Sequence, residues 1–235
     1  MANFVLIHGA WSGAFRWRLV RPILAAAGHD VFTPSLTGLG DRAHLAGPEV
    51  NLSTHIDDIV NVILYEDLHD VVLVGASYGG MPITGAADRV ADRIAHLLYV
   101  DAFQPRDGES CWDLGGGGAR DSGDWRIPPP GPADAVIREG GIDVRRSAMP
   151  IGTLSEKVHL SKPLEQQSFT RTYIKATADA RPEPPRSSHF WDVADRVSKD
   201  PAWRYIEMNA HHGIPWENPR ELAEILLASP VPAGR

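Results

Sequence analysis

Several things are scarce in this chain, and each scarcity removes a class of protein. There is one cysteine in 235 residues, so no internal disulfide can form, and a reducing compartment is expected. Cys111 has no strand-turn-helix pattern around it, which favours an inert thiol over a nucleophile. Positive charge is limited too: 23 Lys and Arg face 30 Asp and Glu, a formal net charge of −7. That balance argues against a nucleic-acid partner, because neutralising phosphates needs clustered Lys and Arg. No stretch approaches the roughly 18 consecutive apolar residues of a membrane span, so no membrane partner is expected. Asn3–Gly9 already reads as a core strand entering a glycine turn rather than a secretory leader, and the expected location is cytoplasmic. Asn51-Leu52-Ser53 has the form of a glycosylation acceptor. Without an export signal it reads as local structure, with Ser53 as a helix N-cap.

What is present is the make-up of a globular domain, 43% hydrophobic and 23% charged. Short apolar runs rich in β-branched residues predict strands at Asn3–His8, Asp30–Pro34, Asp70–Ala76, His96–Asp101, Arg171–Ala176 and Trp203–Met208. The first, third and fourth runs are nearly continuous, as in strands buried on both faces of a parallel sheet. Helical patterns fall between them at about Ala14–Ala27, Ser53–Glu66, Gly80–Ala91, Ser187–Val197 and Asn218–Leu227. The alternation predicts an α/β fold, a mostly parallel sheet with helices on both faces.

The rhythm breaks from Phe103 to Gln167, where Gly115–Gly118, Pro128–Pro130 and Gly131-Pro132 lie. A loop of that length is improbable inside a domain, so a small, mainly helical cap is expected, with Ala133–Glu139 and Lys162–Thr170 as its helices. The predicted division is a core of 1–103 and 168–235 with a cap insertion of 104–167. Pro230–Arg235 reads as a frayed tail.

The chemistry centres on Gly75-Ala76-Ser77-Tyr78-Gly79. This G-x-S-x-G pentapeptide follows the apolar run Val71–Val74 and opens a helical pattern, which is the strand-turn-helix elbow of a nucleophilic serine. A serine strained at such a turn leaves no room for side chains two residues away on either side. Its Oγ stands exposed at a helix N-terminus, where the dipole favours a developing oxyanion.

A serine hydroxyl needs a base and an orienting carboxylate. The last strand ends in Asn209-Ala210-His211-His212-Gly213, which offers two candidate bases. Asp179, three residues past the strand Arg171–Ala176, is the preferred acid, and Asp101, at the end of its own strand, is the rival. After the first strand, Gly9 allows close approach of the backbone. The N–H groups of Ala10 and Tyr78 are the expected oxyanion hole. His8 is expected to fix that turn by hydrogen bonds. Trp11, Phe103, Trp112 and Trp125 are candidates for an aromatic substrate pocket, with cap core as the alternative.

Phe4-Val5-Leu6-Ile7-His8-Gly9-Ala10-Trp11, Pro34-Ser35-Leu36-Thr37-Gly38-Leu39-Gly40 and Gly75–Met81 resemble the plant methylesterase and hydroxynitrile lyase family and its bacterial esterase relatives, within the α/β-hydrolase superfamily. The resemblance spans the chain in motif order and thins across 104–168. It implies a triad of Ser77, Asp179 and His212, a cap over the site, and no cofactor or metal. His212 is preferred over His211 because it keeps the family's spacing to Pro219. Hydroxynitrile lyases of this family carry a lysine after the catalytic histidine and a threonine in the first turn, where this chain has Gly213 and Gly9. Both departures resemble the esterase branch. The first segment and Tyr65–Gly75 are also similar to bacterial hydrolases of methyl benzimidazole-type carbamates. The implied activity is hydrolysis of a small ester or carbamate through an acyl-enzyme. The alternatives are a lyase and a non-catalytic small-molecule receptor.

Overall fold

Each of the six apolar runs becomes a strand of one parallel sheet. The computed structural model describes residues 1–115, 123–129, 136–139, 142–182 and 188–230. Before the insertion come β1 (Asn3–Ile7), β2 (Asp30–Phe32), β3 (Val71–Ala76) and β4 (Ile94–Val100). The insertion holds β5 (Arg126–Ile127), β6 (Val136–Glu139), β7 (Ile142–Arg145) and β8 (Met149–Pro150). After it come β9 (Thr170–Ala176) and β10 (Arg204–Met208). The main sheet runs in the order β10-β9-β4-β3-β1-β2, with every neighbouring pair parallel.

Successive strand residues face opposite ways, and two cores follow from that. Phe4, Leu6, Val72, Val74 and Leu98 pack on one face with Leu24 of α1 (Arg21–Ala26) and Leu222 and Leu226 of α7 (Pro219–Leu227). Val5, Ile7, Leu73, Leu97 and Tyr99 pack on the other, against α2 (Leu52–Tyr65), α3 (Gly80–Arg89) and α5 (His189–Val197). The sheet is thus buried on both sides, and its loops meet at the carboxyl edge.

Two local expectations change. The helix expected over Ala14–Ala27 splits into a 3₁₀ turn, Ala14–Trp17, and α1, because Pro22 lacks an N–H and fits only a first helical turn. The N-cap of α2 is Asn51, not Ser53: Asn51 Oδ1 accepts the Thr54 N–H at 2.9 Å, and Thr54 Oγ1 lies 3.3 Å from the Asn51 N–H. Ser53 instead gives its N–H and hydroxyl to Glu156, at 2.6 and 2.8 Å, and so ties α2 to the insertion.

The cap is mixed rather than mainly helical. β5 pairs antiparallel with β8, β6 pairs antiparallel with β7, and one short helix, α4 (Gly152–Ser155), follows. Of the helix expected at Ala133–Glu139, residues 133–135 lie outside the described residues and Val136–Glu139 is a strand. β-branched Val136, Ile137, Ile142 and Val144 favour that pairing. Lys162–Thr170 contains only a 3₁₀ turn at Leu164–Gln166, since β9 already begins at Thr170. The glycines and prolines of 116–118 and 130–132, and the tail after Pro230, also lie outside the described residues. Among the described residues no helix is long and apolar enough to cross a membrane. Ile214–Glu217 forms a further short helix, α6, one residue after the histidine pair.

Candidate active site

β3 is buried along its whole length and runs into Ser77, whose φ is +54°. Such a value is rare for a residue with a side chain and marks a strained turn. The flanking glycines make the turn possible. A Cβ on Gly75 would lie 2.6 Å from the Gly79 carbonyl oxygen, and one on Gly79 would lie 2.7 Å from that of His8. The Phe103 N–H donates to the Ser77 carbonyl at 3.0 Å and fastens the elbow to the loop after β4.

Three side chains form a continuous hydrogen-bonded line. His212 Nε2 lies 2.9 Å from Ser77 Oγ, and His212 Nδ1 lies 2.7 Å from Asp101 Oδ2. A carboxylate only accepts, so Nδ1 carries the ring proton and Nε2 is left to accept the serine O–H. Serine, base and carboxylate stand in the relation that lets an imidazole take a hydroxyl proton.

The carboxylate at this ring is not the one expected. Asp179 accepts the main-chain N–H of His212 at 2.9 Å through Oδ2, and its Oδ1 lies 2.7 Å from Nδ1 of His211. The reason is register. Val100 of β4 is level with Ala76 of β3, so Ser77 and Asp101 leave adjacent strands at the same height. Ile174 of β9 is level with Val100, which puts Asp179 five residues further along and beyond the sheet. The hydrogen bond to His211 holds the Asp179 carboxyl below its usual range, and the same contact raises the His211 imidazole.

Asp101 is almost wholly buried, and its backbone is also left-handed, with φ +41°. Its Oδ1 accepts from Lys175 Nζ at 2.8 Å and from the Ala176 N–H at 3.3 Å. Sequence reasoning missed Lys175. The available signal was a charged residue inside a strand whose neighbours, Tyr173, Ile174 and Ala176, are all core residues.

The first turn presses directly on the serine: a Cβ on Gly9 would lie 3.0 Å from Ser77 Cβ. Ala10 and Ser77 line one cavity of about 420 Å³, and Tyr78 follows Ser77 in the elbow. His8 behaves as a fastener. Its Nε2 accepts the Leu36 N–H at 3.1 Å, so Nδ1 carries the proton and donates to the Gly9 carbonyl at 2.8 Å. Burial lowers its pKa to about 4. The Tyr78 side chain points away into the core, where its hydroxyl shares a proton between His55 Nδ1 at 2.9 Å and the Thr153 carbonyl at 3.2 Å.

Of the four candidate pocket aromatics, Trp11 lines the Ser77 cavity, and its Nε1 donates to the Ile127 carbonyl of β5 at 3.0 Å. Phe103 instead lines a separate cavity with His189 and Phe190, and Phe190 lies between it and the His212 ring, 5.0 Å from the latter. Trp112 packs against the core, and Trp125 stacks with Arg126 in the cap. The same cavity is lined by Asp179, His211 and His212, and also by Phe15, Arg16, Arg146 and Glu217, four residues with no motif in the sequence to mark them.

A family model described as the alpha/beta hydrolase family matches residues 4–230, nearly the whole chain. The chain belongs to the alpha/beta hydrolase family. This alpha/beta hydrolase is 56% identical over 114 residues to the carbendazim hydrolyzing esterase of Nocardioides sp. (strain SG-4G), covering 48% of this chain and 47% of that protein. It is 33% identical over 105 residues to methylesterase 2 of Arabidopsis thaliana, covering 44% and 40%. These alignments span less than half the length of the curated relatives. Among solved structures, an extracellular alpha/beta-hydrolase from a Paenibacillus species superposes with a TM-score of 0.73 at 27% identity, covering 97% of this chain and 98% of that one.

Proposed function

We propose that this alpha/beta hydrolase cleaves a small carboxylic ester or carbamate through an acyl-enzyme, with Ser77 as nucleophile and His212 as base. The observation that carries the reading is the unbroken line from Ser77 Oγ through His212 to Asp101. Asp101, rather than Asp179, is the carboxylate that holds the tautomer. Ser77 Oγ attacks the carbonyl carbon as His212 Nε2 removes its proton, and the N–H groups of Ala10 and Tyr78 take up the oxyanion. His212 then protonates the leaving alcohol and activates the water that releases the acid.

The carbendazim hydrolyzing esterase makes a methyl benzimidazole-type carbamate the first specific substrate to try. Trp11 and Phe15, which both line the Ser77 cavity, offer apolar surface to an aromatic group. Lyase chemistry is disfavoured by Gly213, which places no cationic side chain directly after His212 to meet a cyanide leaving group. We take residues 104–167 as the cap that shapes substrate choice. A cytoplasmic location is inferred from the lone, buried Cys111.

The test compares wild type with Ser77→Ala on p-nitrophenyl acetate and on a methyl benzimidazole carbamate. Wild type should turn over at least one of them and label with a fluorophosphonate, whereas Ser77→Ala should do neither. Equal rates for the two proteins would overturn the assignment.

A further inference from the structure

We infer that Lys175 is a positioning residue for the Ser77–His212–Asp101 line: its ammonium keeps Asp101 ionised and fixed, and so keeps His212 available as a base. The inference rests on the proposed role of His212.

The argument begins with burial. Asp101 and Lys175 side chains are each only 3% exposed. A carboxylate taken out of water is strongly destabilised unless it is paired and its lone pairs are met. Asp101 meets both conditions: Lys175 and the Ala176 N–H reach Oδ1, and His212 reaches Oδ2. The ammonium is equally satisfied. Its three protons face Asp101 Oδ1, the Ala176 carbonyl at 2.6 Å and the Trp191 ring, with Nζ 4.4 Å from the ring centroid. Nothing is left over for substrate.

Pairing has a consequence for the base. A buried carboxylate with no partner would draw a proton onto the imidazole beside it, because the imidazolium would then be its only counter-charge. Lys175 supplies that charge from the opposite side. His212 is thereby oriented by Asp101 without being driven to its protonated form. The other charged and titratable groups nearby are arranged differently. Asp179 and His211 pair with each other on the histidine loop, Arg181, 5.5 Å from the Trp191 ring centroid, pairs with Asp195 of α5, and Arg16, Arg146 and Glu217 line the cavity that Ser77 and His212 share. Tyr173 of β9 gives its hydroxyl to the Ala102 carbonyl, and Tyr205 of β10 gives its hydroxyl to Glu207. Lys175 is the cation in hydrogen-bond contact with Asp101 among the described residues.

The experiment follows the His212 imidazole by ¹⁵N-resolved NMR titration in wild type, Lys175→Gln, Lys175→Met and Lys175→Arg. Loss of the charge should move the His212 midpoint upward by about one pH unit, the size expected for removing a close charge. The acid limb of kcat/KM should move with it. Lys175→Arg should stay near wild type. A midpoint that is unmoved or falls in the folded neutral variants would overturn the inference, as would an equal shift in Lys175→Arg. If neither neutral variant folds, Asp101→Asn/Lys175→Met decides: a folded double variant supports pairing of charges, and an unfolded one assigns the lysine a purely structural role. The titration needs no substrate. Failure of the hydrolase reading would therefore show separately, as an inactive wild type whose midpoint still depends on Lys175.

Discussion

Asp179 accepts the main-chain N–H of His212 at 2.9 Å, while the ring of the same histidine turns to Asp101. Two carboxylates thus serve one histidine, one through its backbone and one through its imidazole. The division predicts unequal mutants. Asp101→Asn should lower kcat by about 10³- to 10⁴-fold, because the amide favours the wrong tautomer. Asp179→Asn keeps an acceptor for the His212 N–H and should cost about tenfold or less. Steady-state kinetics on an aryl ester checks both, and the reverse ranking would restore Asp179 to the ring.

Much of this was legible beforehand, and the failures have a common cause. The six core strands were visible as short apolar, β-branched runs, most clearly in β1, β3 and β4, which are buried along nearly their whole length, and less so in the edge strands β2 and β10. The elbow was visible because Gly75 and Gly79 answer a steric need that no other residue meets. The expected acid, Asp179, meets the His212 main chain rather than its ring, because chain order is no guide to spatial order. Sheet order puts β4, not β9, beside β3, and only the register puts Asp101 level with Ser77. Lys175 and Asp101 are 74 residues apart, and no local pattern links them. The cap resisted for another reason: short strands such as β5 and β8 have only two residues each, too few for any periodicity to register.

Tyr78 predicts a separation of stability from chemistry. Its hydroxyl joins the elbow to His55 of α2 and to Thr153 of α4. Tyr78→Phe keeps the ring and the backbone N–H but strands buried polar atoms, which should destabilise the fold by about 1–3 kcal/mol. Urea denaturation would register the loss. kcat should change by less than about threefold, since the oxyanion donor is the Tyr78 main chain.

Buried histidines predict the acid response of the fold. Burial lowers His8 and His55 to about 4 from the ordinary 6.5. Between those values the unfolded chain binds more protons than the folded one, so stability is full above about pH 6.5 and declines as pH falls towards 4. Each group should contribute a slope of roughly 1.4 kcal/mol per pH unit in that window. His96 and His189, also lowered to about 4 by burial, steepen it. Denaturation midpoints measured from pH 7 to 4.5 should fall steadily. His55→Gln should be less stable at pH 7 yet show a shallower slope, and a flat wild-type profile would refute the account.

Trp11 predicts a binding effect. Its ring lines the Ser77 cavity and its Nε1 holds β5 of the cap. Trp11→Phe keeps an aromatic wall but releases that tie, so KM for an aryl ester should rise about fivefold while kcat stays within about twofold. A fall in kcat at constant KM would mean that the residue acts on the transition state instead.

Ser77 and Asp101 stand on hydrogen-bonded neighbours in the interior of the sheet, whereas His212 hangs from a loop after β10, an edge strand. The sheet's interior is the last part of such a fold to loosen, and an edge is among the first. On gentle warming the imidazole should therefore part from its two companions while the scaffold is still whole. Activity would vanish below the melting temperature and return on cooling, so the thermal limit of this protein would be set by one loop rather than by its core.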